Sequence, residues 1–374
     1  MRVAIDARVV SPGRSGVGEY TYQLLRQFPF IDKELEYFIF LRGSSVEEKR
    51  IKELSSSFNI EKISPCEGGK FLNFIKTHGE VPVRLLFLKP RLFHSPGPIA
   101  PFVKTCRTVL TIHDLSFLKV HGIFDKFQNT YYKTFVPYIA RRVDKIITVS
   151  NNAAGDIVEL LHIPEERIRV IYNGVDERFS QERSPEREHD LKKRAGLSDY
   201  ILFLGVLEPR KNVSRLIRAY SRLSPELSHY KLVIAGGHGW LYEDIYSLVK
   251  ELSLQNRVIF TGRISDEDLP DLYRGASLFV YPSLMEGFGI PPLEAMACGI
   301  PVIASNTSSF PEILSDAAFL VDPLNEEEIT SAMTDILTDK NLCKTMIDKG
   351  LKRASLFSWK ESARRTLELY RELL

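Results

Sequence analysis

Short apolar runs alternate with longer amphipathic stretches along the whole chain, the pattern of parallel strands joined by crossover helices. In the first half, residues 3–5, 37–41, 92–94, 108–112, 146–149 and 168–172 read as strands. In the second half, 201–204, 231–235, 258–261, 278–281, 301–304 and 318–321 repeat the pattern. The fold class is therefore α/β, and two complete strand sets argue for two domains rather than one large sheet. A polar tract at 180–196 carries no strand pattern and is the expected linker, which divides the chain into 1–179, 180–196, 197–357 and a last segment, 358–374. That segment opens with Ser358-Trp359-Lys360-Glu361, a capping box, and continues with Trp359, Ala363, Leu367, Tyr370 and Leu374 at helical spacing, so it reads as a docking helix. In open parallel sheets ligands sit at the carboxyl ends of the strands, so the loops there are where chemistry is sought.

Charge changes this picture little. The 374 residues hold 50 Lys and Arg against 48 Asp and Glu, a balance of +2 that excludes a dedicated nucleic-acid binder. Residues 1–180 hold 26 basic against 20 acidic side chains, so the first half is mildly positive. Cys66, Cys106, Cys298 and Cys343 are scattered, with no metal-ligand spacing and no disulfide framework, which fits a reducing cytoplasm. The N-terminus lacks the apolar core of a signal peptide, and no run is long enough to span a bilayer, so any membrane contact is expected to be peripheral.

The densest chemistry lies between Tyr281 and Pro301. A strand ends near Tyr281, a loop carries Glu286-Gly287-Phe288-Gly289, and Pro291-Pro292 suits the first turn of a helix that bears Glu294. Loop amides and a helix start bind hydroxyls or phosphate because their N–H groups lack other partners, and ionised carboxylates accept hydrogen bonds from sugar hydroxyls. Glu294 has a blander reading as a cap of its own helix.

A second strand runs into Gly205 and then Arg210-Lys211-Asn212, adjacent cations suited to a diphosphate leaving group, with a solvated surface pair as the alternative. Gly236, Gly237 and Gly239 follow a third strand. Near the start, Asp6 leads to Ser15-Gly16-Val17-Gly18 and a helix; Thr21 stands where the dinucleotide fingerprint needs Gly, so a nicotinamide cofactor is rejected. Thr111-Ile112-His113-Asp114 closes a strand and points His113 to the ligand side, and His94 is a weaker case of the same kind.

Together these segments resemble the retaining glycosyltransferases of family 4. The resemblance rests on 16–18, 111–117, 170–176, 205–212, 262–269, 286–294 and Ser358-Trp359, nearly the whole chain. It implies the GT-B arrangement of two Rossmann-like domains with a cleft between them. The first domain would face the acceptor, the second would bind the nucleotide sugar, and the C-terminal helix would cross back to pack on the first.

The resemblance also implies roles. Gly16 and Val17 should meet the acceptor or the donor phosphate, with Gly18, His94 and Asp114 on the acceptor side, and His113 should contact the transferred sugar. Lys211 with Arg210 should hold the diphosphate, next to Gly205 and Gly237. Glu286 and the amides of Gly287, Phe288 and Gly289 should hold sugar hydroxyls, Glu294 the ribose, and Arg263-Ile264 the base. Where many relatives carry Arg directly after the first of these glycines, this chain has Val206, so Arg210 is expected to supply that charge. Asp266-Glu267-Asp268 matches the D-x-D metal motif of the other glycosyltransferase fold but reads better as a helix start, and no metal or other cofactor is expected.

The wording Leu207-Glu208-Pro209-Arg210-Lys211-Asn212 is similar to that of mannosyltransferases of polysaccharide biosynthesis. GDP-mannose is thus the preferred donor, and a glycan or lipid-linked saccharide the acceptor, with front-face attack. The alternatives are a nucleotide-sugar epimerase on the same scaffold and a non-catalytic donor-binding subunit. Residues 68–93 mix Lys70, Lys76, Arg84, Lys89 and Arg91 with Phe71, Phe74, Leu85, Leu86, Phe87 and Leu88. That stretch fits either peripheral contact with anionic lipid at the inner face of the membrane or a solvated helix face followed by a core strand.

Overall fold

A computed structural model describes residues 1–10, 16–42, 49–63, 74–120, 126–182, 185–188, 193, 196, 198–239 and 242–374. The chain divides into two compact units, one formed by Met1–Gly174 with Ser358–Leu374 and the other by Val175–Phe357.

In the first unit seven parallel strands form one sheet: β1 (Arg2–Asp6), β2 (Glu36–Arg42), β3 (Asn59–Ile63), β4 (Leu92–Ser95), β5 (Arg107–Ile112), β6 (Lys145–Thr148) and β7 (Ile168–Val170), in the order β3-β2-β1-β4-β5-β6-β7. The central strands are buried on both faces, which is why β1, β4 and β5 read as unbroken apolar runs. Val3 sits opposite both Tyr37 and Leu92, so β1 pairs on both of its edges. β3 was not expected. Its sequence, Asn-Ile-Glu-Lys-Ile, is polar because it lies at the sheet edge and pairs only with β2.

The second unit holds β8 (Tyr200–Leu204), β9 (Lys231–Ala235), β10 (Val258–Gly262), β11 (Leu278–Tyr281), β12 (Val302–Ser305) and β13 (Phe319–Val321), all parallel in the order β10-β9-β8-β11-β12-β13. Between β8 and β9 the helix Val213–Ser221 buries Val213, Leu216, Ile217 and Tyr220, a single stripe at 3.6-residue spacing. The two sheets change direction at β1/β4 and at β8/β11, the positions where loops diverge and ligands enter α/β folds.

The first unit ends at Gly174, upstream of the tract 180–196 expected as the linker. Described residues of that tract are tied to the second unit: Arg274 donates to the Ser180 carbonyl at 3.2 Å, and Arg187 donates to the Glu267 carbonyl at 2.8 Å. Residues 183–184, 189–192 and 194–195 lie outside the described residues.

The C-terminal helix Trp359–Leu373 packs in the first unit, chiefly on the helix Gly16–Ile31. Trp359, Ala363, Leu367 and Tyr370 form its buried stripe. Ser358 caps it by accepting from the Lys360 N–H at 3.2 Å. The other half of the expected capping box is not seen, because the Glu361 carboxylate turns to Arg364 and Arg365. Gly174 lies against this helix start so closely that a Cβ there would fall 2.0 Å from the Trp359 nitrogen, so only glycine fits.

Candidate functional site

The loops after β8 and β11 of the second unit meet around one carboxylate. After β8 the chain makes a tight turn, Pro209–Lys211, and Asn212 then takes a left-handed conformation (φ 59°) that Asn tolerates better than most residues. Its side-chain amide donates to the carbonyls of Pro282, at 3.1 Å, and Pro323, at 2.6 Å, which ties the turn to the loop after β11. A backbone bond from Leu284 N–H to the Arg210 carbonyl, 2.8 Å, adds a second tie. Lys211 Nζ therefore reaches Glu286 Oε1 at 2.5 Å, and Arg210 Nη1 reaches Glu286 Oε2 at 3.0 Å. The Ser283 hydroxyl donates to the same Oε1 at 2.7 Å, and the Tyr281 hydroxyl lies between Lys211 Nζ, 2.7 Å away, and Glu286 Oε1, 3.2 Å away.

Burial alone would raise the Glu286 carboxyl, but the charges of Arg210 and Lys211 and the hydrogen bonds from Lys211 and Ser283 outweigh it and hold the group down at about 2. Burial pulls the Lys211 ammonium below its ordinary value against the opposing pull of Glu286. The cluster holds two cations, Arg210 and Lys211, against Glu286 and Glu208, whose carboxylate accepts from Arg210 Nε at 3.0 Å. A compact, largely buried ion cluster of this kind has the chemistry to offer donors to an anion and acceptors to hydroxyls.

Around it the backbone comes unusually close to itself. A Cβ on Gly236 (φ +141°) would fall 1.9 Å from the Gly205 carbonyl oxygen, so the ends of β8 and β9 lie backbone against backbone. Gly237 faces Arg263, whose guanidinium would be 3.9 Å from a Cβ placed there, and Arg263 is exposed while Ile264 is half-buried. Gly289 (φ +97°) precedes the helix Ile290–Ala297, with Pro291 and Pro292 in its first turn. Glu294 of that helix is buried and accepts from the Tyr273 hydroxyl at 2.9 Å. Gly287 and Phe288 lie in the loop between, where Ser308 and Ser309 donate to the Glu286 carbonyl at 2.6 and 3.0 Å. Asp266-Glu267-Asp268 precedes the helix Leu269–Arg274, with the Ser265 hydroxyl accepting from the Asp268 N–H at 3.0 Å.

The first-unit candidates stand at the carboxyl ends of its own strands. The helix Gly16–Ile31 starts at Gly16 and Val17, Gly18 is buried, and Ser15 lies outside the described residues. His113 follows β5, packs edge-on against Tyr20 at 4.7 Å and lies 2.9 Å from the Pro96 carbonyl, so its Nε2 carries the proton and donates. Burial lowers its pKa, which keeps the ring neutral. Asp114 accepts from the Ser116 N–H at 2.9 Å.

His94 departs from expectation. It is fully buried, with Nδ1 2.5 Å from the Tyr370 hydroxyl and Nε2 2.8 Å from the Thr111 hydroxyl. Both ring nitrogens are therefore engaged in joining β4 to β5 and the C-terminal helix, and no edge is left for an acceptor.

The basic apolar stretch 68–93 also resolves into separate parts. Lys76 and Leu85 are buried, Arg84 pairs with Glu61 and Glu80, and Lys70 and Phe71 lie outside the described residues. Leu86 and Phe87 are exposed, Phe87 to 81%.

Sequence reasoning passed over Tyr281 and Ser283, which complete the cluster. A tyrosine ending an apolar strand looks like core, and only the polar Ser two residues on hinted at the bond to Glu286.

Comparison with known proteins places the chain among sugar transferases. Residues 14–179 match the family model for Glycosyltransferase Family 4, and residues 186–353 match that for Glycosyl transferases group 1. The chain is 28% identical to O-antigen chain mannosyltransferase B of Escherichia coli over the full length of both. It is 36% identical to the serotype-specific mannosyltransferase WbdA of Escherichia coli over 72% of this chain but only 34% of that protein, so the match spans about a third of the relative's length. Among solved structures, Alr3699/HepE of Anabaena, in complex with UDP and glucose, superimposes over 100% of both chains with a TM-score of 0.78 at 19% identity. Two α/β units with parallel sheets, matching that structure, define the GT-B fold. The chain belongs to the glycosyltransferases in which a Family 4 domain precedes a group 1 domain.

Proposed function

We propose that the protein moves mannose from GDP-mannose to a glycan or lipid-linked saccharide acceptor, with retention of anomeric configuration. The observation that carries this reading is the Lys211–Glu286–Arg210 cluster, a buried carboxylate fixed between two cations at the ends of β8 and β11. The names of the two Escherichia coli relatives support mannose as the sugar. Lys211 and Arg210 take the donor diphosphate. Glu286 and the amides of Gly287, Phe288 and Gly289 take the sugar hydroxyls, and Glu294 the ribose. Gly205 and Gly237 let the nucleotide approach the backbone, and Arg263 and Ile264 take the base. In the first unit Gly16 and Val17 approach the phosphate or the acceptor, His113 the transferred sugar, and Gly18 and Asp114 the acceptor side.

Transfer proceeds by front-face attack. The acceptor oxygen bonds to the anomeric carbon as the bond to the phosphate oxygen breaks on the same face, and the departing phosphate takes the acceptor proton. Two cations beside the leaving group favour its departure by stabilising the charge it gains. Glu286 is not called on as a nucleophile; its Oε1 is held by Lys211, Ser283 and Tyr281, and Oε2, held by Arg210, is left to accept from the sugar hydroxyls. The residues suit a metal-free reaction at the cytoplasmic side, with the exposed Leu86 and Phe87 touching the membrane surface.

Thermal stabilisation by GDP, UDP, ADP and TDP and their sugars, with and without EDTA, tests the reading. A ligand at 100 times its dissociation constant stabilises the native state by about 2.7 kcal/mol. Stabilisation by GDP and GDP-mannose alone, unchanged by EDTA, is expected. Stabilisation by another nucleotide instead overturns the donor, and loss of the effect in EDTA overturns metal independence.

A further inference from the structure

His113 has one hydrogen bond among the described residues, from Nε2 to the Pro96 carbonyl. That bond settles the tautomer and leaves Nδ1 with the lone pair. It does not settle the plane of the ring. Nε2 lies close to the axis of the Cβ–Cγ bond, about which a histidine ring turns in a broad well, whereas Nδ1 lies further off that axis and is aimed only once the rotation is stopped.

Tyr20 is placed to stop it. Its ring meets the imidazole with planes 83° apart and centroids at 4.7 Å, so the imidazole cannot turn without running into it. Tyr20 is itself fully buried, in the helix Gly16–Ile31, and its ring also meets Trp359 at 6.0 Å and 62°.

The hydroxyl of Tyr20 is tethered as well. Thr111 stands two residues before His113 and faces the same way, with its Oγ1 3.4 Å from the Tyr20 hydroxyl. The same Oγ1 lies 2.8 Å from His94 Nε2, and His94 Nδ1 lies 2.5 Å from the Tyr370 hydroxyl. Tyr370 has no other hydrogen-bond partner among the described residues, so it donates to Nδ1, and Nε2 carries the proton that goes to Thr111. All four side chains are fully buried, so their polar atoms depend on one another rather than on water. A continuous chain of contacts thus runs from the C-terminal helix to the ring that packs on His113.

We infer that Tyr20 is a positioning residue: its ring holds the His113 imidazole in the plane that aims Nδ1 at the transferred sugar, and its hydroxyl is tethered through Thr111 and His94 to Tyr370 of the C-terminal helix. The inference rests on the placement of His113 at that sugar proposed above and adds what orients it.

The test is a double-mutant cycle on the full chain, with GDP and GDP-mannose titrated by calorimetry. Where the thermal screen selects another nucleotide, that nucleotide and its sugar take their place. His113→Ala should weaken GDP-mannose and leave GDP within about twofold of wild type. Tyr20→Met fills the space with a flexible chain; it should weaken GDP-mannose about fivefold or more, spare GDP, and add nothing in the His113→Ala background. Tyr20→Phe keeps the ring and should restore most of the affinity. Thr111→Val leaves every ring in place and cuts only the tether, and should weaken GDP-mannose about two- to threefold in the same His113-dependent way. A purely structural role would lower the melting temperature and give the same loss with and without His113. Wild-type GDP-mannose affinity in folded Tyr20→Met, or an equal loss in both backgrounds, overturns the inference, and where Tyr20→Met does not fold, the same two results in Thr111→Val do so. Wild-type GDP-mannose affinity in His113→Ala strikes the placement of His113 at the sugar, and the inference with it. A loss in His113→Ala that Tyr20→Met does not share strikes the inference alone.

Discussion

Glu286 is an anion whose environment was built for it, and its depressed pKa makes that environment measurable. The carboxyl has an ordinary value of 4.5 and is held at about 2 in the folded chain. The folded state therefore keeps Glu286 ionised where the unfolded chain protonates it. This contributes stability that is fully present above pH 4.5 and is lost as the pH falls through about 2. Wild type should show this extra loss of stability between those values in acid unfolding followed by circular dichroism, and Glu286→Gln should lack it. An identical acid slope in the variant would mean that the ion cluster does not form in solution. Arg210, Lys211 and Glu286 were legible in the sequence because charged residues in Gly- and Pro-bearing loops after apolar strands have few structural reasons to be there. Tyr281 was not, since its ring stacks between Phe203 and Phe279 like any core aromatic and only its hydroxyl serves the cluster.

At the scale of elements, the clearest case is the junction of β4, β5 and the C-terminal helix. His94 was read as a ligand-facing residue because it ends an apolar run, but the same position suits a buried histidine clamped by Thr111 and Tyr370. Burial, and then the nearby His113, lowers its pKa from 6.5 to about 3. The native ring is therefore neutral where the unfolded ring takes up a proton, so stability falls as the pH drops from 6.5 toward 3. His94→Leu should cost about 1–3 kcal/mol at pH 8, because it leaves the buried Tyr370 and Thr111 hydroxyls without their partner. Its deficit relative to wild type should shrink as the pH falls across that window, in urea titrations at each pH. A deficit that stays constant would contradict a neutral, buried His94. Helical periodicity made the C-terminal stripe legible without showing what it covers, and the edge strand β3 escaped because an edge position does not demand a continuous apolar run.

Across the whole molecule, alternation of strands and helices made both sheets legible, while the point where the chain leaves the first unit was not. The eye is drawn to the charged tract at 180–196, yet the division falls at Gly174, whose backbone lies against Trp359. No helix among the described residues is long and apolar enough to cross a membrane. Surface contact is a separate matter, and Leu86 and Phe87 are its strongest candidates. Phe87→Ser combined with Leu86→Ser should reduce sedimentation with anionic vesicles several-fold without lowering the melting temperature, since both side chains already face water. Unchanged sedimentation would remove this helix as a membrane contact.

The central claim is that Lys211, with Arg210 and Glu286, forms the diphosphate end of a nucleotide-sugar site. Isothermal titration of GDP and of guanosine into wild type and Lys211→Met tests it most directly. A charged hydrogen bond of about 1.5–3 kcal/mol corresponds to a roughly 10- to 150-fold loss of affinity. The account predicts a loss of that order for GDP and little change for guanosine. GDP affinity within twofold of wild type in a folded Lys211→Met protein would contradict it.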